Sequence, residues 1–261
     1  MNTIAVLGMP NTGKSTLFSQ LTGSHAHIGN WPGLTVELMQ AELPLAGGNA
    51  QLVDLPGIYD LRGHSDDEAV VRRFLESTPV DLVVVILNAS QIDRQLRLAL
   101  QVRQLGLPAL LLLNMADEAK RFGVQIDTAL LSGPLGLPVL QMSAKYRRGL
   151  GQVQHEISRL LSSEKGHRGP NPPIQQLETR LAEADAGLEA ETRDLLAAAV
   201  TLPPVWRDRL TRRLDAVLLH PLLGLPLFFL AMALMFQLIY AIGVPMQEAL
   251  GILLDQFGQV V

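Results

Sequence analysis

"GMPNTGKS", Gly8 to Ser15, matches the pattern G-x-x-x-x-G-K-[ST] and directly follows the β-rich run TIAVL, Thr3 to Leu7. The residues after it, KSTLFSQLTG, suit a helix, so the motif has the strand-to-helix setting in which it binds phosphate. In such a loop the backbone N–H groups point at phosphate oxygens and the helix start adds positive dipole. Lys14 is expected to reach the β- and γ-phosphates and the Ser15 hydroxyl to ligate Mg²⁺, with Met9, Pro10, Asn11, Thr12, Gly13 and Thr16 completing the phosphate-binding stretch. The alternative is a Gly-rich turn with an incidental lysine. A chance match in a chain of this length is on the order of 1%, and the strand-to-helix setting lowers that further.

Outward from the loop, the first 165 residues alternate strand and helix. Short β-rich runs at TIAVL, VELMQAEL, AQLVDL, DLVVVIL, PALLLLN and LPVLQMS are separated by stretches of helical period such as 91–105. Near-continuous apolar strands belong to a sheet buried on both faces. The predicted fold is α/β, an open and mostly parallel sheet flanked by helices that binds its ligand at the carboxyl ends of the strands.

Two of those ends suit a base. LLLLNMAD ends in Asn114, Met115, Ala116 and Asp117, and the Asp117 carboxylate can accept hydrogen bonds from both N1–H and the 2-amino group of guanine. Adenine offers no such donor pair, so the carboxylate discriminates by remaining unpaired against the wrong base. After the next strand, Ser143, Ala144 and Lys145 can place backbone N–H groups and a lysine stem around the same base. Each short motif is weak alone; in this order, each at a strand end, they reinforce one another.

Composition bounds the rest. The chain has 261 residues, 48% of them hydrophobic, which is room for one α/β domain with about a hundred residues to spare. A net charge of -4 gives no overall electrostatic case for nucleic acid, which is not expected as a partner. The absence of cysteine excludes disulfides and thiolate metal sites and agrees with a cytosolic setting. The start MNTIAVLG is not a secretory signal.

From Pro221 to Gln247 no residue is charged, and the run is about as long as the 20 or so residues a helix needs to cross a bilayer. The alternative is a deeply buried soluble helix. Arg207, Arg209, Arg212 and Arg213 precede the run and no Lys or Arg follows it, which places the N-terminal part in the cytoplasm. The expected layout is 1–165 as the nucleotide-binding domain and 166–204 as a short helical segment with linkers. A basic amphipathic helix at 205–220 leads to the first transmembrane helix at 221–247, and a non-cytoplasmic segment begins at 248–261. In the helical segment Ile174, Leu177, Leu181, Ala184 and Leu188 recur at helical spacing, continued by Leu195, Leu196 and Ala199.

The set GMPNTGKS, Thr35, DLPG, NMAD and SAK resembles the five nucleotide-contacting elements of the translation-factor-like, Ras-like (TRAFAC) P-loop GTPases. GNWPGLTVE at Gly29 to Glu37, DLPGIYDL at Asp54 to Leu61, the following HSDDEAVVRRFL and the later HPLLGLPLFF are similar to the bacterial ferrous iron transport protein B family. The resemblance implies a GTPase that uses GTP binding and hydrolysis to drive or gate Fe²⁺ uptake at the bacterial inner membrane. Its N-terminal domain would be cytoplasmic, and the helical segment would have a regulatory role. It implies Thr35, flanked by Gly33 and Leu34, as the first-switch threonine on Mg²⁺ and the γ-phosphate. Asp54 would hold Mg²⁺ through water, and Gly57, after Leu55 and Pro56, would offer its N–H to the γ-phosphate. Asn11 stands where potassium-using GTPases hold K⁺ beside the phosphates, so K⁺ joins Mg²⁺ as a cofactor; the alternative is that Asn11 only caps the loop. Ile58 stands where Ras-like GTPases place a water-positioning glutamine, so slow hydrolysis and only a modest effect of Ile58→Ala are expected. Partners implied are GTP and GDP, Fe²⁺, the lipid bilayer, small accessory proteins of the transport system and further copies of the chain.

Several residues have blander readings. His25 and His27 are weak metal candidates, Trp31 either contacts ribose or base or packs, and SDDE at Ser65 to Glu68 reads as an acidic helix start. The runner-up function is a GTP-dependent membrane regulator or assembly factor that conducts no ion, and a third class is an ATP-using enzyme on the same fold. A transporter needs many more spans than one, so the chain is expected to be a fragment.

Overall fold

The computed structural model describes residues 1–23, 27–31, 36–45, 47–62, 65–163, 175–202, 218 and 224–258. Met1–Pro203 forms one compact unit and Pro204–Val261 a second. The expected sites at Gly33, Leu34, Thr35 and His25, the Gly/Pro-rich linker and the basic helix before the span lie outside the described residues.

The first unit is built on a seven-stranded sheet. Its strands are β1 (Asn2–Gly8), β2 (His27–Asn30), β3 (Glu37–Leu45), β4 (Gly48–Asp54), β5 (Leu82–Asn88), β6 (Ala109–Asn114) and β8 (Val139–Gln141), in the spatial order β2-β3-β4-β1-β5-β6-β8. From β4 to β8 every pairing is parallel, while β3 pairs antiparallel with β4 and β2 antiparallel with β3. Every residue of β5 (LVVVILN) and of β6 (ALLLLN) is buried, as strands covered on both faces require.

Alternate residues of each strand enter different cores. Ala5, Leu7, Val53, Val83, Val85 and Leu111 belong to the larger cluster, with α2 (Asp66–Ser77) and α3 (Ile92–Gln104) supplying Val71, Phe74, Leu96 and Ala99. Ile4, Val6, Leu52, Val84 and Leu110 face the other side, against Leu17 and Phe18 of α1 (Lys14–Thr22) and Val153 and Ile157 of α6 (Leu150–Ser162).

All six apolar runs read from the sequence are strands. Two features are additional. The edge strand β2 has the sequence HIGN, too short and too poor in β-branched residues to stand out. A separate two-stranded sheet pairs β7 (Gln125–Ile126) antiparallel with β9 (Val200–Thr201).

The pairing of β7 with β9 fixes α7 (Gln175–Ala199), the helix expected from the apolar spacing. Leu188, Leu195 and Ala199 lie in the larger core, and Arg103 of α3 grips Glu191 with two hydrogen bonds of 2.6 and 2.8 Å. The N–H of Asp127, the N-cap of α5 (Thr128–Leu135), donates to the Ala199 carbonyl. The described end of α7 is thus packed against the larger core, within the same compact unit.

In the second unit α8 spans Gly224–Gly258, 35 residues or about 52 Å of helix. Its window Gly224–Gln247 has a mean hydropathy of 2.3 and is not buried at all, which is unlike the core helix of a soluble domain. By length and composition this one helix can cross a membrane. It continues past Gln247 as helix.

Ile58 is 1% exposed and belongs to the larger core with Leu55, Leu61 and Phe74. It anchors its segment by packing. Truncation in such a site loses transfer energy and leaves a cavity. Ile58→Ala is therefore expected to cost about 2–5 kcal/mol of stability; urea unfolding monitored by circular dichroism measures the loss.

Candidate functional site

The phosphate loop leaves β1 at Gly8 and enters α1 at Lys14. Its turn needs left-handed backbone at Asn11 (φ 62°) and Gly13 (φ 82°). Asparagine tolerates that region; at Gly13 a second constraint applies, because a Cβ there would lie 2.3 Å from Asn114 Nδ2. The Thr12 hydroxyl donates to the Met9 carbonyl at 2.9 Å and closes the loop on itself.

Asn114, at the carboxyl end of β6 and 2% exposed, ties the motifs together. Its Nδ2 donates to the Thr12 carbonyl at 2.8 Å, and its Oδ1 accepts the Ala144 N–H at 2.9 Å. The Ala116 N–H in turn donates to the Met142 carbonyl at 3.1 Å. The phosphate loop, the start of α4 (Ala116–Arg121) and the loop after β8 therefore form one hydrogen-bonded frame.

Two adjoining clefts occupy that frame. One, of 520 Å³, is lined by Gly13, Thr16, Asn114, Met115, Asp117, Ser143, Ala144 and Lys145, together with Glu118, Arg121, Phe122 and Tyr146. The other, of 460 Å³, is lined by Met9, Pro10, Asn11, Gly13, Lys14, Ser15, Thr16, Gly57 and Asp67. Gly13 and Thr16 are common to both, so the two clefts adjoin there. Gly8, Thr12, Leu55, Pro56 and Ala116 line neither cleft; they shape the loops around them. The Leu55 N–H donates to the Val6 carbonyl and that of Ile58 to the Gly8 carbonyl, which clamps residues 55–58 against β1. A Cβ on Gly57 would stand 3.2 Å from Pro10, so glycine permits this close approach.

At the phosphate end Lys14 is paired with Asp54, and the Ser15 hydroxyl lies 3.4 Å from Asp54 Oδ2. A hydroxyl and a carboxylate converging beside a lysine are hard oxygen donors of the kind Mg²⁺ takes together with phosphate oxygens, so the set fits that ion. The Asn11 side chain is exposed at the cleft and makes no hydrogen bond among the described residues, which leaves its carbonyl available and gives no support to a purely capping role.

The chain beyond Gly57 is held by charge. Asp60 takes Arg62 at 2.6 Å, with Arg97 at 3.7 Å. Burial pushes the Asp60 carboxyl up, but hydrogen bonds from the Arg62 side chain and backbone and from Gln101 outweigh it, so it lies below the usual carboxylate range. Ser65 and Glu68 form a capping box at the start of α2, and Glu68 also accepts the Asp60 N–H at 3.0 Å. SDDE is thus a helix start, as read.

Trp31 packs: its ring centroid lies 5.0 Å from that of Phe74 and its indole N–H donates to Thr78 Oγ1 at 2.7 Å. No group of three or more His, Cys, Asp or Glu suited to a metal occurs among the described residues. Asp67, Glu118, Arg121, Phe122 and Tyr146 also line the clefts and are not among the residues expected from the sequence; Glu118, Phe122 and Tyr146 stand within a few residues of NMAD and SAK, and that adjacency was the available signal.

The family model described as "Ferrous iron transport protein B" matches residues 2–157. The Fe(2+) transporter FeoB of Synechocystis is 48% identical over 243 residues, covering 93% of this chain and 39% of that one. The chain thus spans 39% of the length of the curated relatives it matches. Among solved structures, the cytosolic domain of L. pneumophila FeoB superposes with a TM-score of 0.67 at 25% identity, covering 77% of this chain and 100% of that one. The cytosolic domain of the T. maritima FeoB iron transporter in its GMPPNP form gives 0.60 at 28% identity, covering 82% and 92%. Frame, clefts and relatives agree, and the chain belongs to the ferrous iron transport protein B family, with the P-loop GTPase fold in its first unit.

Proposed function

We propose that this chain binds GTP, hydrolyses it to GDP and phosphate, and serves as the cytoplasmic module of an Fe²⁺ transporter in a bacterial inner membrane. The observation that carries the reading is that the two clefts adjoin at Gly13 and Thr16, with Asp117 lining one, Lys14 and Ser15 lining the other, and Asp54 beside Lys14 and Ser15. Asp117 accepts the two guanine donors, and Met115, Ala144 and Lys145 bound the base. Lys14 and the loop N–H groups of 9–16 hold the phosphates. Ser15, Asp54 and Thr35 are the ligand set for Mg²⁺.

Water attacks the γ-phosphorus as the bond to the β–γ bridging oxygen breaks, and GDP leaves with that electron pair. Ile58 is buried and offers no hydrogen bond to the water, so backbone groups at Gly57 and Thr35 orient it. With no side-chain base or arginine finger assigned, slow turnover is the consequence. K⁺ at Asn11, when bound, supplies positive charge beside the bridging oxygen. The helical segment 166–204 acts as a regulator: β9 pairs with β7, which follows the base-reading α4 directly, so a shift of α7 bears on the base cleft. Lipid contact falls to α8, and small accessory proteins and further copies of the chain are its other partners.

Potassium dependence tests the phosphate end. GTP turnover is expected to be about tenfold or more higher in KCl than in NaCl, and Asn11→Ala to abolish the difference; equal rates in the two salts for the unaltered chain would sink the assignment. Iron movement tests the whole reading. Uptake of labelled Fe²⁺ by cells whose chromosomal gene carries Lys14→Ala or Asp117→Asn is expected to fall toward background. Undiminished uptake in both would separate GTP chemistry from transport and favour a regulator that conducts no ion.

A further inference from the structure

The loop after β8 is a closed turn. Ser143 and Arg148 exchange both of their backbone hydrogen bonds, at 3.1 and 3.0 Å, and inside that pair the Arg147 N–H donates to the Ala144 carbonyl at 3.2 Å. Left-handed backbone at Arg147 (φ 57°) completes the reversal. Because the Ala144 N–H is held by Asn114 Oδ1, the turn is fixed to β6 as well as to itself. Lys145 and Tyr146 occupy its two central positions, and both are exposed at the tip.

A rigid backbone does not by itself place a lysine head. Among the described residues Lys145 makes no hydrogen bond and no ion pair, and its ammonium meets the Tyr146 ring, with Nζ 5.4 Å from the ring centroid. Arg148 approaches the same ring, its Cζ 5.8 Å from the centroid. Both distances lie within the roughly 6 Å over which a ring quadrupole attracts a cation. Tyr146 is 53% exposed and belongs to neither core, so its ring has no packing duty elsewhere.

Lys145 and Tyr146 line the same cleft as Asp117. Asp117 reads the edge of a base, but a base also has two faces, and the four-carbon stem of a lysine is an apolar cover for one of them when its head is anchored. An unanchored stem samples many rotamers, and ordering it at the moment of binding costs entropy. A ring that already holds the head removes that cost.

We propose that Tyr146 is a positioning residue for the base: its ring holds the Lys145 ammonium, so that the Lys145 stem lies in advance along the cleft and slows the escape of a bound guanine nucleotide. This role rests on the GTPase reading above. It applies to GDP and GTP alike, because both carry the same base.

Release of a fluorescent GDP analogue, followed by stopped flow with the chain in lipid nanodiscs and Mg²⁺ present, tests it. Tyr146→Leu removes the ring, Tyr146→Phe keeps it, and Lys145→Met removes the cation while keeping an apolar stem. An exposed cation–π contact corresponds to about a 2- to 5-fold change in such a rate. That acceleration is expected in Tyr146→Leu and in Lys145→Met, with no further gain in the double variant, and Tyr146→Phe should release the nucleotide at close to the unaltered rate. Unchanged release in Tyr146→Leu, equal acceleration in Tyr146→Phe, or additive effects of the two single changes would overturn the pairing and leave Tyr146 a surface residue. An unaltered chain that fails to bind the GDP analogue at all would instead strike the GTPase reading, and this role with it.

Discussion

The cleft depends on one buried amide. Asn114 donates to the carbonyl of Thr12 in the phosphate loop and accepts the N–H of Ala144 in the loop after β8. Both bonds are nearly withdrawn from water, where an unpaired polar group would be costly, so each loop is held in the one position that satisfies the amide. Gly13 completes the constraint, since any side chain there would strike Asn114 Nδ2. Strand β6, between β5 and β8, supplies the rigid base from which the bracket reaches both loops.

From that frame outward, the second switch is held by three different forces. Ile58 and Leu61 are buried, the Ile58 N–H bonds the Gly8 carbonyl, and Asp60 sits between Arg62 and Arg97. Glu68 then passes the position of Asp60 on to α2. Asp54 lies between this anchored segment and the loop, paired with Lys14 and near the Ser15 hydroxyl, so the residues proposed to read phosphate and cation are also those where the two elements meet.

Much of this was legible in the sequence. The central strands announced themselves because a sheet covered on both faces needs unbroken apolar runs, as in LVVVILN and ALLLLN. The phosphate loop was readable because its glycines and lysine are demanded by backbone geometry and charge. Short or locally weak elements were not: HIGN has no strand signal of its own and is a strand only because β3 is beside it, while β7 and β9 are two residues each and pair Gln125 with Thr201 and Ile126 with Val200, far apart in sequence. The packing of Ile58 was not legible, because the order of a motif does not say which way a residue faces. Asn114 was recognised as part of a base-reading motif, yet its bond to Thr12 joins residues 102 apart, and no spacing rule reveals it.

The account centres on a guanine-specific cleft whose base end is Asp117 and whose phosphate end is the Gly8 to Ser15 loop. The most direct measurement is competition for that cleft, with the chain in lipid nanodiscs, Mg²⁺ present, and a fluorescent GDP analogue displaced by unlabelled GDP or ADP. The account predicts displacement by GDP and none by ADP at about a hundredfold excess, because adenine leaves the Asp117 carboxylate unpaired. Displacement by ADP at concentrations similar to GDP would contradict it.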